Sequence, residues 1–480
     1  MDLLSSLALG LQKATVLLNL GLILTGVLVG TVASAIPGIR AIHCVALMTP
    51  IAYALKLPIE SVLVFLLSLY HGCIYGERVA TIVASEEKEI DTATLSLSCI
   101  GAFGGGILAV AGLILMVPLF QRLQSGFGPA EYFVLIIFAF SALAIRTHRY
   151  PARTLVSICL GLMMASVGID STTGILRFTL NQPQLYDGIE FTTVIIGLFV
   201  VSHIFVLMES PDGKTKEIRV KTVRSRWKDL VTHRFLLLRS ALGGFFVGIL
   251  PACGTMVASD LSEQLETTLE RRKNGRRLGR LKWLLARETA TNAACGGTML
   301  PLLSLGIPGS GTSAILLGAL LLYNVTPGPQ LLSQQSELIW VIIATVAIAN
   351  LLLLIINLSM SRLIVSMYRI PRQVLAPLLL VLTFVACFAV NSSSFSLLLV
   401  VLIGLFSYFL KKFNYPQIPL LLGFVLGELL ENNLRRALSI SAGDFSILFA
   451  SPTAITLWVL SIAMILVPVV QRLYSRRRQK

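Results

Sequence analysis

The sequence predicts an all-α polytopic membrane protein of about 10–12 transmembrane helices, in two diverged repeats with broken or re-entrant helices. Three observations predict it. Only 13% of the 480 residues are charged and 55% are hydrophobic, against about a quarter charged in an ordinary soluble domain. The apolar residues fall in successive blocks that approach or exceed the ~20 residues needed to cross a bilayer. Some of those blocks are cut by glycine and proline, which continuous membrane helices do not need.

In order, the blocks run at 14–36, 41–55, 59–84, 93–120, 130–147, 154–169, 189–208, 235–258, 283–305, 313–325, 338–366, 374–390, 396–410, 416–430 and 446–471. The first follows Asp2 with no cation before it and is long, as expected of a first membrane segment and not of a cleaved signal. The blocks at 59–84, 93–120 and 338–366 are long enough to span. Those at 41–55, 313–325 and 416–430 are too short to cross alone, as half-helices and re-entrant arms would be. The block at 235–258 carries the break Pro251-Ala252-Cys253-Gly254 and lies between two basic loops, at 214–228 and 271–282. If cations mark one side of the membrane, this block enters and leaves on that side, as a re-entrant hairpin.

The net charge is +15. The cations cluster in short loops between apolar blocks, including Lys214–Lys228, Arg271–Lys282 and Arg472 with Arg476 to Arg478. This placement reads as membrane orientation and lipid contact, because no nucleic-acid motif accompanies it. Seven cysteines stand singly in apolar contexts, without paired spacing, which argues against a disulfide framework or zinc site. The histidines have no ligand spacing, and Gly309-Ser310-Gly311 lacks the glycine spacing of a nucleophile elbow, so the expectation is a protein that is not an enzyme.

The two halves read as diverged copies. Gly30…Pro37-Gly38 resembles Gly248…Pro251…Gly254, and Tyr75-Gly76 stands opposite Gly296-Gly297. Pro151–Leu155 matches Pro371–Leu375, and the surroundings of Gly197 match those of Gly423. The expected units are a first repeat 1–208, a basic inter-repeat loop 209–234, a second repeat 235–471 and a basic tail 472–480. Paired breaks in corresponding halves point to a binding site at the repeat interface.

The densest break runs from Gly296 to Thr312, where Pro301 and Pro308 interrupt a membrane-length region. Asn292, Thr298, Ser304, Ser310, Thr312 and Ser313 offer neutral oxygens and donors there. Gly296, Gly297, Gly309 and Gly311, with Pro308, would let backbone approach a ligand. Ser310, Thr312 or Ser313 could cap a helix opening near 312, whose N-terminus would favour a carboxylate. In the first half, Pro37, Gly38, Arg40, Tyr75 and Gly76 are the corresponding site candidates. Glu77 and Arg78 form a candidate ion pair, with Arg40 and Arg78 as candidate anion contacts. Residues 86–91 read as a solvated loop, and Glu428 to Arg436 as a structural helix end.

At these residues the chain resembles the large permease subunit of the tripartite tricarboxylate transporter family. The resemblance is carried by Gly248–Gly254, Glu288–Asn292, Gly296–Leu303, Leu305–Thr312, Gly318–Leu321, Pro327-Gly328-Pro329, Glu431–Leu438 and Gly443-Asp444. Gly128–Phe133, Gly168-Ile169-Asp170 and Asp187–Phe191 extend it into the first half. It implies a multi-pass permease of the bacterial inner membrane, working with a periplasmic solute-binding protein and a small membrane subunit. It implies uptake of small carboxylates such as citrate by cation symport, with no cofactor beyond a coupling Na+ or H+. The first half departs from the family pattern, with Arg40 in place of a glycine after Pro37-Gly38 and Glu77-Arg78 following Tyr75-Gly76. The alternative is a non-transporting membrane sensor or assembly scaffold that kept the carrier fold.

Overall fold

In the computed structural model, the described residues are 3–85, 89–124, 127–146, 151–170, 172–209, 219–221, 231–251, 253–275, 278–328, 331, 335–368, 370, 372–391 and 393–478. The chain is an all-α polytopic membrane protein. Among these residues six helices are long and apolar enough to span: Leu17–Ala35, Ile59–Val83, Thr92–Arg122, Phe191–Glu209, Ser336–Ser361 and Ser394–Lys412. Shorter apolar helices account for the other blocks, since a 15-residue helix reaches only about 22 Å. Large apolar side chains stay exposed on long and shorter helices alike, Leu17, Val381, Phe388 and Val459 among them. That surface is what lipid would cover.

The helices follow the apolar blocks closely. They are α1 (Leu3–Ala14), α2 (Leu17–Ala35), α3 (Ala41–Ala54), α4 (Ile59–Ser85), α5 (Thr92–Gln124), α6 (Pro129–Arg146), α7 (Pro151–Ala165) and α8 (Phe191–Glu209, π-helical over Ile196–Val201). The second half contains α9 (Arg234–Ile249), α10 (Gly254–Asn274), α11 (Arg280–Gly297), α12 (Met299–Leu305), α13 (Gly311–Leu322), α14 (Ser336–Met367), α15 (Arg372–Asn391), α16 (Ser394–Lys412), α17 (Gln417–Ile440) and α18 (Pro452–Arg478). Strand β1 (Glu89–Asp91) pairs in parallel with β4 (Arg219–Lys221), and β2 (Gly168–Ile169) pairs antiparallel with β3 (Leu176–Arg177). Part of the expected 86–91 loop is thus a strand, while residues 86–88 and most of the basic loop 214–228 lie outside the described residues.

Two hairpins set the architecture. Asn19, near the start of α2, accepts a hydrogen bond from Ser61 at 2.8 Å, and α3 ends at Ala54, just before α4 begins. Both outer ends of the α2–α3 hairpin therefore sit at the start of α4, and its tip at 36–40 points the other way. In the second half, Arg239 of α9 holds Glu266 of α10 through two bonds of 2.9 Å. Lys282, at the start of α11, holds Glu270 at 2.8 Å. The α9–α10 hairpin thus has its outer ends at the start of α11 and its tip at 250–254. The returning arm runs well past the expected 258, because its acids are matched by cations on neighbouring helices.

Each hairpin is seated on its long helix by glycine. A Cβ on Gly30 would lie 2.3 Å from the Leu69 carbonyl oxygen, and one on Gly76 would lie 2.5 Å from that of Thr31. The second half repeats the contact, with Gly248 against Ala294 O at 2.5 Å and Gly297 against Phe245 O at 2.4 Å. In both pairs the residue numbers rise together, so each entering arm runs parallel to its long helix. The long helices α4 and α11 run antiparallel, since His71 faces Cys295 at 3.7 Å while Glu77 and Arg78 lie towards Glu288. The two tips consequently approach the middle from opposite edges.

Candidate functional site

Where the tips pass each other they enclose a two-lobed space. The larger lobe, about 430 Å³, is lined by Pro37–Arg40, by Glu77, Arg78 and Thr81, by Thr255, Met256 and Ser259, and by Arg287, Glu288 and Thr291. The smaller, about 120 Å³, is lined by Tyr70, Gly254, Ser310, Gly311 and Thr312 among others. Both lobes share Arg40, Ile74, Glu77, Thr255 and Met256, so they form one continuous site.

The local structure follows from the breaks. After α12, Gly306 adopts φ +69°, a left-handed conformation that glycine takes without a Cβ clash. Residues 307–310 then lead to α13, which opens with a reciprocal cap. Ser313 N–H donates to Ser310 Oγ at 3.1 Å, and Ser310 N–H donates to Ser313 Oγ at 2.7 Å. Gly309 is pressed between Gly248 O and the Thr298 side chain, which seats this connection on the second tip. Pro301 makes no break of its own. It falls in the first turn of α12, where its missing N–H is not needed, and the interruption is at Thr298.

Of the sequence candidates, Pro37, Gly38, Arg40, Ser310, Gly311 and Thr312 line the site. Ser313 caps α13, and Pro308 is buried in the connection. The others serve packing in this structure. Asn292 Nδ2 donates to the Glu288 carbonyl at 3.0 Å, Thr298 donates to Cys295 O, and Ser304 donates to Leu300 O. Gly296 lies against Ala109, and Gly76 and Gly297 are helix seams. Tyr75 donates to Asn350 Oδ1 at 3.3 Å, away from both lobes.

The candidate Glu77–Arg78 ion pair does not form. Neighbouring residues on a helix point about 100° apart. Glu77 accepts the backbone N–H of Ala41, at the start of α3. Arg78 donates to Leu95 O at 3.1 Å, to Ser98 Oγ and to Asn357 Oδ1 at 3.3 Å, all neutral acceptors. Arg287 is held by Asp260 at 2.9 Å and by Glu263. Arg40 makes no ion pair among the described residues, and its guanidinium touches Met256 Sδ at 3.4 Å. The site therefore offers Arg40, an exposed cation in no ion pair among the described residues, beside the hydroxyls of Thr255, Ser310 and Thr312, together with the carboxylates of Glu77 and Glu288. Such a set can hold a small anion together with a compensating cation. Glu77 and Glu288 were legible as acids in apolar blocks. Ser259 carried no signal of its own, because α10 beyond the expected 258 reads as a charged, non-membrane segment, while Thr255 and Thr291 fell in apolar blocks as single hydroxyls with nothing to mark them.

A second space, about 660 Å³, opens near the 166–190 loop between α7 and α8. There Arg435 binds Asp170 at 2.7 Å and Glu431, while Arg177 binds Glu431 at 2.9 Å. The Thr172 and Thr173 amides and the Arg435 guanidinium hold the Asp170 carboxyl down at about 2. The expected structural helix end is thus an ion-pair network that ties the loop to α17. Among the described residues no group of three or more His, Cys, Asp or Glu side chains is placed to hold a metal ion.

The chain matches the sequence profile described as the tripartite tricarboxylate transporter TctA family over residues 20–85 and 91–422. An Agrobacterium vitis protein named "Uncharacterized 52.8 kDa protein in TAR-I ttuC' 3'region" is 32% identical over 497 aligned residues, covering 99% of this chain and 98% of its own length. A second, "Uncharacterized protein in TAR-II ttuC' 3'region" of the same organism, is 36% identical over 236 residues, 49% of this chain and 98% of its own. No solved structure matches.

Proposed function

Because the chain belongs to the TctA family of tripartite tricarboxylate transporters, we propose that it is the secondary-active permease subunit for uptake of small carboxylates such as citrate. A cation gradient drives it, a periplasmic solute-binding protein feeds it, and a small membrane subunit accompanies it. The supporting observation is the meeting of two oppositely directed hairpin tips around Arg40. The two halves are read as diverged inverted repeats, in keeping with sites formed where broken segments of paired halves meet. The basic edge is read as the cytoplasmic face of the bacterial inner membrane. The substrate carboxylate contacts Arg40 and the capped start of α13, where backbone amides and dipole favour an anion.

The test is uptake of labelled di- and tricarboxylates by cells expressing the chain with its neighbouring subunits, with and without an imposed Na+ or pH gradient. Gradient-dependent uptake supports the reading. Correct membrane insertion with no uptake across the panel would favour the sensor or scaffold.

A further inference from the structure

Resting on the carrier reading above, we propose that Glu288 is the proton-coupling group, taking up one proton per cycle at its carboxylate. Three observations outside the substrate contacts carry this. Glu288 lies in α11 with 8% of its surface exposed, yet it lines the larger lobe. Its carboxylate accepts no hydrogen bond among the described residues, whereas Glu77 is engaged by the start of α3. Across from it, Arg78 is 4% exposed, is satisfied only by neutral acceptors, and has Nε without a partner.

A buried carboxylate and a buried guanidinium, close but unpaired, have two low-energy arrangements. Either the carboxylate binds a proton and stays apart, or it loses the proton and pairs with the free Arg78 Nε. The charged and titratable groups around Glu288 fit this exchange. Glu77, Tyr75 and Arg78 face it from α4 and Cys99 from α5, while Arg287 stands beside it, already held by Asp260 and Glu263 of α10. Arg40 and Tyr368 line the same lobe. A metal cation at Glu288 would have to enter beside the buried Arg78 guanidinium, whereas a proton needs only the carboxylate.

Two measurements on the full chain test this. The first is the infrared C=O stretch of a protonated carboxylic acid, followed against pH in reconstituted protein without substrate. The band should titrate, vanish in Glu288→Gln and persist in Glu77→Gln. The second, in vesicles containing the whole assembly, compares exchange of labelled citrate with its gradient-driven accumulation. Glu288→Gln should lose gradient-driven accumulation by a larger factor than it loses exchange.

A band that is unchanged in Glu288→Gln, or that never titrates, overturns the assignment, as does accumulation retained in that variant. So does a band erased at fixed pH by NaCl but not by choline chloride, which would assign the site to Na+. If the unmodified assembly neither exchanges nor accumulates citrate, the citrate reading fails, and the infrared titration still decides Glu288.

Discussion

Arg239 and Glu266 join the two arms of the α9–α10 hairpin by a two-point contact, each bond 2.9 Å. Glu266 is nearly buried, its side chain 5% exposed, while that of Arg239 is 47% exposed. Removing the arginine leaves a buried carboxylate without its partner. Arg239→Ala should therefore cost about 1–3 kcal/mol, the lower part of the range for a half-exposed cation. The double variant with Glu266→Ala should cost less than Arg239→Ala alone. Thermal unfolding of the detergent-solubilised protein measures both, and equal losses would remove the pair from the hairpin's stability.

Glycine at the helix seams gives a paired test. A methyl group at Gly30 or Gly248 would press into backbone, whereas Gly21 and Gly243 on the same helices have nothing within 4 Å. Gly30→Ala and Gly248→Ala should destabilise by roughly 1–3 kcal/mol. Gly21→Ala and Gly243→Ala should be neutral or stabilise by about 0.5–1 kcal/mol through helix propensity. Melting temperatures of the four variants decide the point, and similar shifts at all four sites would contradict it.

Arg40 should govern substrate affinity more than turnover. Arg40→Ala removes an exposed cation of the site, and a charged hydrogen bond of about 1.5–3 kcal/mol corresponds to a roughly 10- to 100-fold higher KM for carboxylate uptake. Uptake kinetics in cells carrying all subunits would show it. An unchanged KM would place the anion elsewhere.

The Asp170 network should give way in acid. Its folded-state value of about 2 lies below the usual ~3.9 of an aspartate, so its contribution is complete above about pH 4 and fades as the pH falls towards 2. Pepsin nicking of the 166–190 loop should accelerate across that interval. In Asp170→Asn the loop should already be labile at the upper end, with little further change. Nicking that follows pH identically in both proteins would detach the loop from this carboxylate.

Most of the helices were legible because lipid imposes long apolar runs on the sequence. The charged arm Gly254–Asn274 was not, since Asp260, Glu263, Glu266 and Glu270 become intelligible only beside Arg287, Arg239 and Lys282 on other helices. Within the candidate site, the breaks pointed to Arg40 and Ser310, which line the space between the tips. They also drew in Asn292, Thr298 and Ser304, whose polar groups turn back onto their own helix backbone, a choice that residue type alone does not reveal. Glu288 was visible as an acid in an apolar run, but its lack of a partner is a property of the folded surroundings.

The glycine seams also constrain the mechanics. Backbone pressed on backbone at Gly26, Gly30, Gly72 and Gly76 leaves no slack for α2 to slide along α4, and Gly244, Gly248 and Gly297 fasten α9 to α11 in the same way. Each hairpin arm and its long helix therefore behave as one stiff lever. The two levers meet through side chains, at His71 and Cys295, 3.7 Å apart. A tilt of one lever against the other would therefore carry each tip with the helix that holds it.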